Sequence, residues 1–294
     1  MLISVIFLDF KNCFLQNLKK LEERSKEIGG DRAMRIGVIQ MDVAYGDRRG
    51  NWEKVHLATE RAMALPYAPQ ALVLPELWST GYALSHASAL ASPMGRKDAD
   101  FLSSLASSFH AAFIGGSVLS DYEGAVYNRA QFIDSTGRYM AGYDKIHLFR
   151  LMNEHRYLSP GKQTALFDFC GMRCSLAICY DIRFCEFIRM LAVHGVEVLF
   201  VSAEWPLVRK EHWETLLRAR AIENQMFVVA CNRCGTTGKE VFAGNSMIIA
   251  PDGTILCRAG EGEEIISAEI DVALVRHARA EIPVFQDRVP DLYF

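Results

Sequence analysis

Ser175-Leu-Ala-Ile-Cys-Tyr-Asp-Ile-Arg-Phe-Cys-Glu186 begins as an apolar run of strand character and breaks into polar sequence at Tyr180-Asp181. Beyond the break, Phe184, Phe187, Ile188, Leu191 and Ala192 recur at helical spacing up to Gly195. Cys179 is therefore expected where a strand turns into a helix. Such a corner lifts a side chain out of a sheet and sets it beside backbone N–H groups without partners. Their partial positive charge favours thiolate over thiol. The same groups can receive the oxyanion that forms when sulfur attacks a carbonyl or nitrile carbon. A buried cysteine acting as a small hydrophobe fits these residues as well, so the corner alone leaves two readings open.

Outward from the corner, strands and helices alternate. Towards the N-terminus, Arg35–Met41 reads as a strand and Asn51–Leu65 as a helix. Ala71-Leu-Val-Leu74 reads as a strand covered on both faces and runs straight into Pro75-Glu-Leu-Trp78. Phe101–Phe109 reads as a short helix and Ala112–Leu119 as a strand. Val126–Asp134 and Arg138–Tyr143 form a hairpin about Ser-Thr-Gly137, with Lys145 at its far end. Residues 150–165 are polar and turn-rich, as in a surface loop over a site. Towards the C-terminus come a strand at Val196–Ser202, an amphipathic helix at Glu211–Asn224 and a buried strand at Phe227–Cys231. A hairpin about Pro-Asp-Gly253 and a final strand at Glu264–Ile270 complete the chain. This alternation predicts an α/β fold with helix-covered sheets.

The chain has 294 residues, half of them hydrophobic, enough for one large core. Its net charge of −3 gives no footprint for nucleic acid or an anionic membrane, and no apolar run approaches the roughly 20 residues that cross a bilayer. Cysteines at 13, 170, 174, 179, 185, 231, 234 and 257 do not read as a disulfide framework at this length. Without an evident export signal, a reduced, cytoplasmic protein is expected. Residues 1–33 differ in character from the rest of the chain and are expected to be an appendage, or to precede a natural start at Met34.

Glu76, Lys145 and Cys179 all come directly after strands, where active-site groups of α/β folds gather. A cysteine nucleophile needs a base, which a carboxylate raised by an apolar pocket supplies, and an ammonium stabilises the oxyanion. Taken singly, Glu76 also fits a helix cap and Lys145 a solvated charge.

Pro75-Glu-Leu-Trp78, Tyr143-Asp-Lys-Ile-His-Leu148 and Ile178-Cys-Tyr-Asp-Ile-Arg-Phe184 resemble, in order and separation, the three signature segments of the carbon–nitrogen hydrolase, or nitrilase, superfamily. The resemblance spans residues 34–294. It implies a four-layer α-β-β-α sandwich in a single domain, paired into a homodimer, that hydrolyses small-molecule amides or related compounds without metal or cofactor. It makes Glu76 the general base, Lys145 the oxyanion stabiliser, Cys179 the nucleophile, Glu154 a supporting glutamate and the Tyr180 N–H part of the oxyanion hole. Cys185 stands where the family often has proline, in a first helical turn that tolerates either. Arg183 and Glu186 are expected to form a buried ion pair behind the corner.

Ala203-Glu-Trp-Pro-Leu-Val-Arg209, His212-Trp213, Leu216–Asn224 and Asn232-Arg-Cys-Gly235 are similar to the ω-amidase branch, which hydrolyses 2-oxoglutaramate or 2-oxosuccinamate. A carboxylate-bearing substrate needs a cationic anchor, for which Arg150, Arg156 and Arg209 are candidates. Trp205 and Trp78 are candidate apolar walls. A nitrilase or N-carbamoyl amidohydrolase would use the same three catalytic residues. Two other classes are weaker: a zinc module built on Cys231-Asn-Arg-Cys234, which lacks a second ligand pair, and a non-catalytic binding protein on the same fold.

Overall fold

Successive residues of the apolar run at 71–74 serve two different layers. Ala71 and Val73 belong to the apolar cluster that holds Val198, Phe200 and Val228, whereas Leu72 and Leu74 pack with Val55, Leu102 and Leu105. In a strand covered on both faces, alternate side chains point to opposite sides. The four layers arise from this alternation.

The computed structural model describes residues 33–293. The expected N-terminal appendage lies outside the described residues, apart from Ala33, which already pairs with Asp271. The first half contains β1 (Ala33–Gln40), α1 (Arg48–Met63), β2 (Ala71–Val73), α2 (Ala87–Leu90), β3 (Ser92–Pro93) and α3 (Arg96–Phe109). It closes with β4 (Ala112–Tyr122), β5 (Ala125–Ile133) and β6 (Tyr139–Asp144). The second half begins with α4 (Glu154–Tyr157), β7 (Leu166–Phe169), β8 (Met172–Ile178), α5 (Cys185–Val193), β9 (Val198–Ala203), α6 (Lys210–Asn224) and β10 (Phe227–Asn232). It ends with the small ribbon β11 (Thr236–Thr237) and β12 (Glu240–Val241), then β13 (Met247–Ile249), β14 (Ile255–Arg258), β15 (Glu264–Asp271) and α7 (Ala273–Glu281).

One sheet has the order β15-β1-β2-β4-β5-β6, with β3 beside β4, and the other β14-β13-β10-β9-β8-β7. Both use one pattern. In the first, β1, β2 and β4 run parallel, β15 flanks them antiparallel on one side, and β5 and β6 continue antiparallel on the other. In the second, β8, β9 and β10 are the parallel core, with β7 on one side and β13 and β14 on the other. α1 and α3 cover the first sheet through Val55, Ala62, Leu102 and Leu105. α5 and α6 cover the second through Ile188, Leu191, Trp213 and Leu217. The sandwich is the one expected.

Three departures from expectation have a visible physical cause. α3 starts at Arg96, before the expected Phe101, because buried Asp98 takes hydrogen bonds from Arg48 Nε (3.1 Å) and Trp52 Nε1 (2.8 Å) of α1. That pairing gives a polar first turn a reason to be helical. β7 was not expected; it is joined to β8 by Cys170-Gly171, whose φ values of 49° and 74° suit a tight hairpin turn. α7 was also not expected. It is short and polar, and Gln225 Nε2 fastens it by donating to the carbonyls of Ala278 and Ile282 (both 2.8 Å).

Candidate active site

The loop after β2 carries Glu76, the residue after β6 is Lys145, and the residue after β8 is Cys179. All three are buried. Lys145 Nζ lies 2.7 Å from Glu76 Oε1 and 2.7 Å from Glu154 Oε1. The Tyr82 hydroxyl bridges the same two oxygens, at 3.1 Å to Glu76 and 2.5 Å to Glu154. Asn128 Nδ2 donates to Glu76 Oε1 (2.8 Å), the Glu204 N–H to Glu76 Oε2 (2.9 Å) and the Phe149 N–H to Glu154 Oε2 (2.8 Å). Glu76 therefore sits among donors, not in the expected apolar pocket.

The Glu76 loop is held by a bulge in β4. Gly115 and Gly116 have φ of 77° and 74°, and a Cβ on Gly116 would come within 2.7 Å of Leu74 Cβ. Only glycine allows this approach and this backbone. Just past the bulge, Ser117 Oγ accepts from the Leu77 N–H (2.8 Å).

Cys179 opens a 3-10 turn, Cys179–Arg183, that leads into α5 at Cys185, so the corner stands as expected. Its φ of 46° is uncommon for a residue with a side chain and marks a held, strained position. Asp181 holds it. One carboxylate oxygen accepts from the Ile178 N–H and the Tyr143 hydroxyl (both 2.8 Å), and the other meets His147 Nδ1 at 2.7 Å. Tyr143 and His147 flank Lys145 in sequence. A single buried carboxylate thus ties the cysteine corner to the lysine segment.

The electrostatics differ from the sequence expectation at the sulfur. Burial pushes the Cys179 thiol well above its ordinary range, and the adjacent Glu76 charge adds to this while Lys145 opposes it. Burial is the largest influence, and it favours the thiol over the thiolate beside Glu76. Burial also raises Glu154, against the pull of Lys145. The two flanking carboxylates outweigh burial at Lys145 and keep its ammonium charged.

A narrow pocket opens at Cys179. Phe149, Tyr180, Arg183, Glu204, Trp205 and Arg209 line it, together with Pro206. The candidates Trp205 and Arg209 are among them. Trp78 is not; it packs beneath α1 and α3 with Leu74 and Leu102. Arg150 and Arg156 are exposed and do not line it. In the one-turn helix α4, Glu154 points inward, so Arg156, two residues on, faces the opposite way. The expected Arg183–Glu186 ion pair is absent among the described residues. Glu186 is exposed on α5, while the Arg183 guanidinium lies 4.7 Å from the centre of the Trp205 ring, with Nη2 3.3 Å from His212 Nδ1. The corner directs Arg183 into the pocket, away from the helix.

Sequence reasoning missed Tyr82, Asn128, Glu204 and Arg233. Asn128 had a signal: it stands in the apolar series Val126, Ala130, Phe132 of β5. Glu204 and Arg233 each end an apolar strand run, as Glu76 and Cys179 do. Arg233 is buried, with Nη1 2.9 Å from Glu204 Oε2 and Nη2 2.8 Å from Asp42 Oδ1. Among the described residues no three His, Cys, Asp or Glu side chains gather to hold a metal ion. Cys231 instead donates to the Ile39 carbonyl (3.2 Å).

The fold and this site define the class. The profile of the carbon–nitrogen hydrolase family matches residues 35–280, and the chain belongs to that family, as a hydrolase of carbon–nitrogen bonds other than peptide bonds. It is 43% identical over 258 residues to the 2-oxoglutaramate amidase of Bacillus subtilis, covering 88% of this chain and 98% of that protein. A carbon–nitrogen hydrolase superfamily protein of Xanthomonas campestris, solved with an arsenic adduct in its active site, superposes with a TM-score of 0.81 at 30% identity (87% and 97% covered). A point mutant of a Nesterenkonia amidase, solved with the acetamide moiety of fluoroacetamide covalently added at its active-site cysteine, superposes with a TM-score of 0.79 at 26% identity (90% and 97% covered).

Proposed function

We propose that the protein is an ω-amidase that releases ammonia from a small 2-oxo acid amide such as 2-oxoglutaramate or 2-oxosuccinamate, through a thioester on Cys179. The carrying observation is the meeting of one buried ammonium, Lys145, with two carboxylates beside the Cys179 pocket. Relatedness to the Bacillus amidase supports the substrate.

Cys179 Sγ attacks the amide carbon while Glu76 takes its proton. Burial favours the thiol form of Cys179, which gives Glu76 a proton to take. Lys145 and the Tyr180 N–H, in the first turn where backbone donors lack intrahelical acceptors, receive the oxyanion. Glu76 passes its proton to the departing nitrogen, ammonia leaves, and water activated by Glu76 hydrolyses the thioester. Glu154 holds Lys145 in place. Arg209 and Arg183 give the mouth two guanidinium groups for the substrate carboxylate. The seven described cysteines are all free, which suits a reducing, cytoplasmic setting. A homodimer completes this reading, and light scattering on the purified protein checks it.

The direct test is ammonia release from 2-oxoglutaramate by wild type and Cys179→Ala. The variant is expected to stay folded and lose at least about a thousandfold in turnover. Equal turnover removes Cys179 from the mechanism. Ammonia from nitriles or N-carbamoyl compounds but not from ω-amides replaces the substrate class.

A further inference from the structure

Three carboxylates, Glu76, Glu154 and Glu204, are buried around Cys179. Both oxygens of Glu76 and both of Glu154 receive hydrogen bonds from the protein. Glu204 differs. Its Oε2 takes Arg233 Nη1 at 2.9 Å, while Oε1 is buried without a partner among the described residues. Glu204 also lines the pocket with Cys179. Its backbone is fixed there: the Glu204 N–H donates to Glu76 Oε2 (2.9 Å) and the Glu76 N–H to the Ala203 carbonyl (3.4 Å). Arg233 fixes the carboxyl group in turn.

We propose that Glu204 Oε1 accepts a hydrogen bond from the –NH2 group of the substrate amide, and that this bond makes the pocket selective for amides. The proposal deepens the ω-amidase reading and rests on it. With the amide oxygen on Lys145 and the Tyr180 N–H, two N–H donors remain in a buried site, and each needs an acceptor. When ionised, Glu204 Oε1 is an acceptor with no other partner among the described residues. A nitrile or an ester offers it no N–H. Replacing it by a donor sets donor against donor at the scissile group.

The protonation of Glu204 gives a second handle. Burial and the Glu76 charge push it up to about 8, against Arg233 and Lys145. Tyr82 and Cys179 also face the cluster, and Asp42 acts through Arg233. An amide that donates to Oε1 binds the ionised form, so amide turnover gains as pH rises towards 8, whereas ester turnover does not.

The test compares kcat/KM for 2-oxoglutaramate and for the matching methyl ester in wild type and Glu204→Gln. The Gln side chain can present oxygen to Arg233 and nitrogen to the pocket. Amide turnover is expected to fall about 100-fold and ester turnover less than about 5-fold. Equal losses, or no loss on the amide, overturn the proposal. If circular dichroism shows the variant unfolded, wild-type pH profiles decide: an extra rise near pH 8 for the amide alone supports it, and coincident profiles overturn it. If wild type releases no ammonia from 2-oxoglutaramate, the substrate assignment falls separately, and the same comparison is run on any primary amide it does hydrolyse.

Discussion

Each half of the molecule ends its central parallel strand, β2 or β9, in a loop that carries a buried glutamate. Glu76 and Glu204 occupy matching places in the two sheets, and each meets one buried cation that also holds a second carboxylate. Around Glu76 the cation is Lys145 and the second carboxylate is Glu154, with side chains 0% exposed throughout. Around Glu204 it is Arg233, and its second carboxylate, Asp42, is 42% exposed. The first cluster is closed, with each carboxylate oxygen matched to a donor. The second is open at both ends, to solvent at Asp42 and to the pocket at Glu204 Oε1. The same topology thus yields one rigid reaction centre and one group left free to recognise a ligand.

Breaking the closed cluster should have the larger effect. Lys145→Met leaves two buried carboxylates facing each other without a cation. A stability loss of about 5 kcal/mol or outright failure to fold is expected, with turnover at background. Urea unfolding and ammonia release measure both. The matching change in the open cluster, Arg233→Met, should cost about 3 kcal/mol, because Asp42 can be hydrated and Glu204 can take up a proton. Equal losses in the two variants would show that the openness of the second cluster has no energetic meaning.

The smallest effect sharpens the contrast by pH. Glu204 is raised in the fold to about 8, above the ordinary carboxylate value it regains on unfolding. Between those values the native state holds more protons than the unfolded state, so its contribution to stability falls as pH rises. A full proton corresponds to about 1.4 kcal/mol per pH unit, and Glu204 contributes up to that slope. In Glu204→Gln the decline between pH 5 and 8 should be shallower, as read from unfolding at several pH values. An unchanged slope would mean that Glu204 is already ionised in the folded enzyme.

Much of this was legible in the residues themselves. The corner at Cys179, the positions of Glu76 and Lys145 after strands and the α/β alternation are all matters of local pattern. Glu154 and the sandwich were reached through the resemblance of three short segments to a known family. Where local pattern was weak, expectation failed. α7 spans only Ala273–Glu281, too short for its apolar positions to mark a helix, and β7 is too short to stand without its Cys170-Gly171 turn. The corner also misled on charge, since a strand-to-helix turn favours thiolate only where solvent or cations outweigh burial.

By itself, the sequence determined which side chains end the strands, because alternation and apolar runs are properties of neighbours along the chain. Only the tertiary structure decided which of those ends meet. Arg183 turned out to line the pocket, Trp78 to lie in the core, and Glu204 to stand opposite Glu76 with one oxygen free. No internal repeat marks the two halves in the sequence, yet their sheets share one topology. Hydrogen bonding and sheet packing act on backbone and burial, which many different residues can satisfy, so the symmetry is carried by the fold and is absent from the letters.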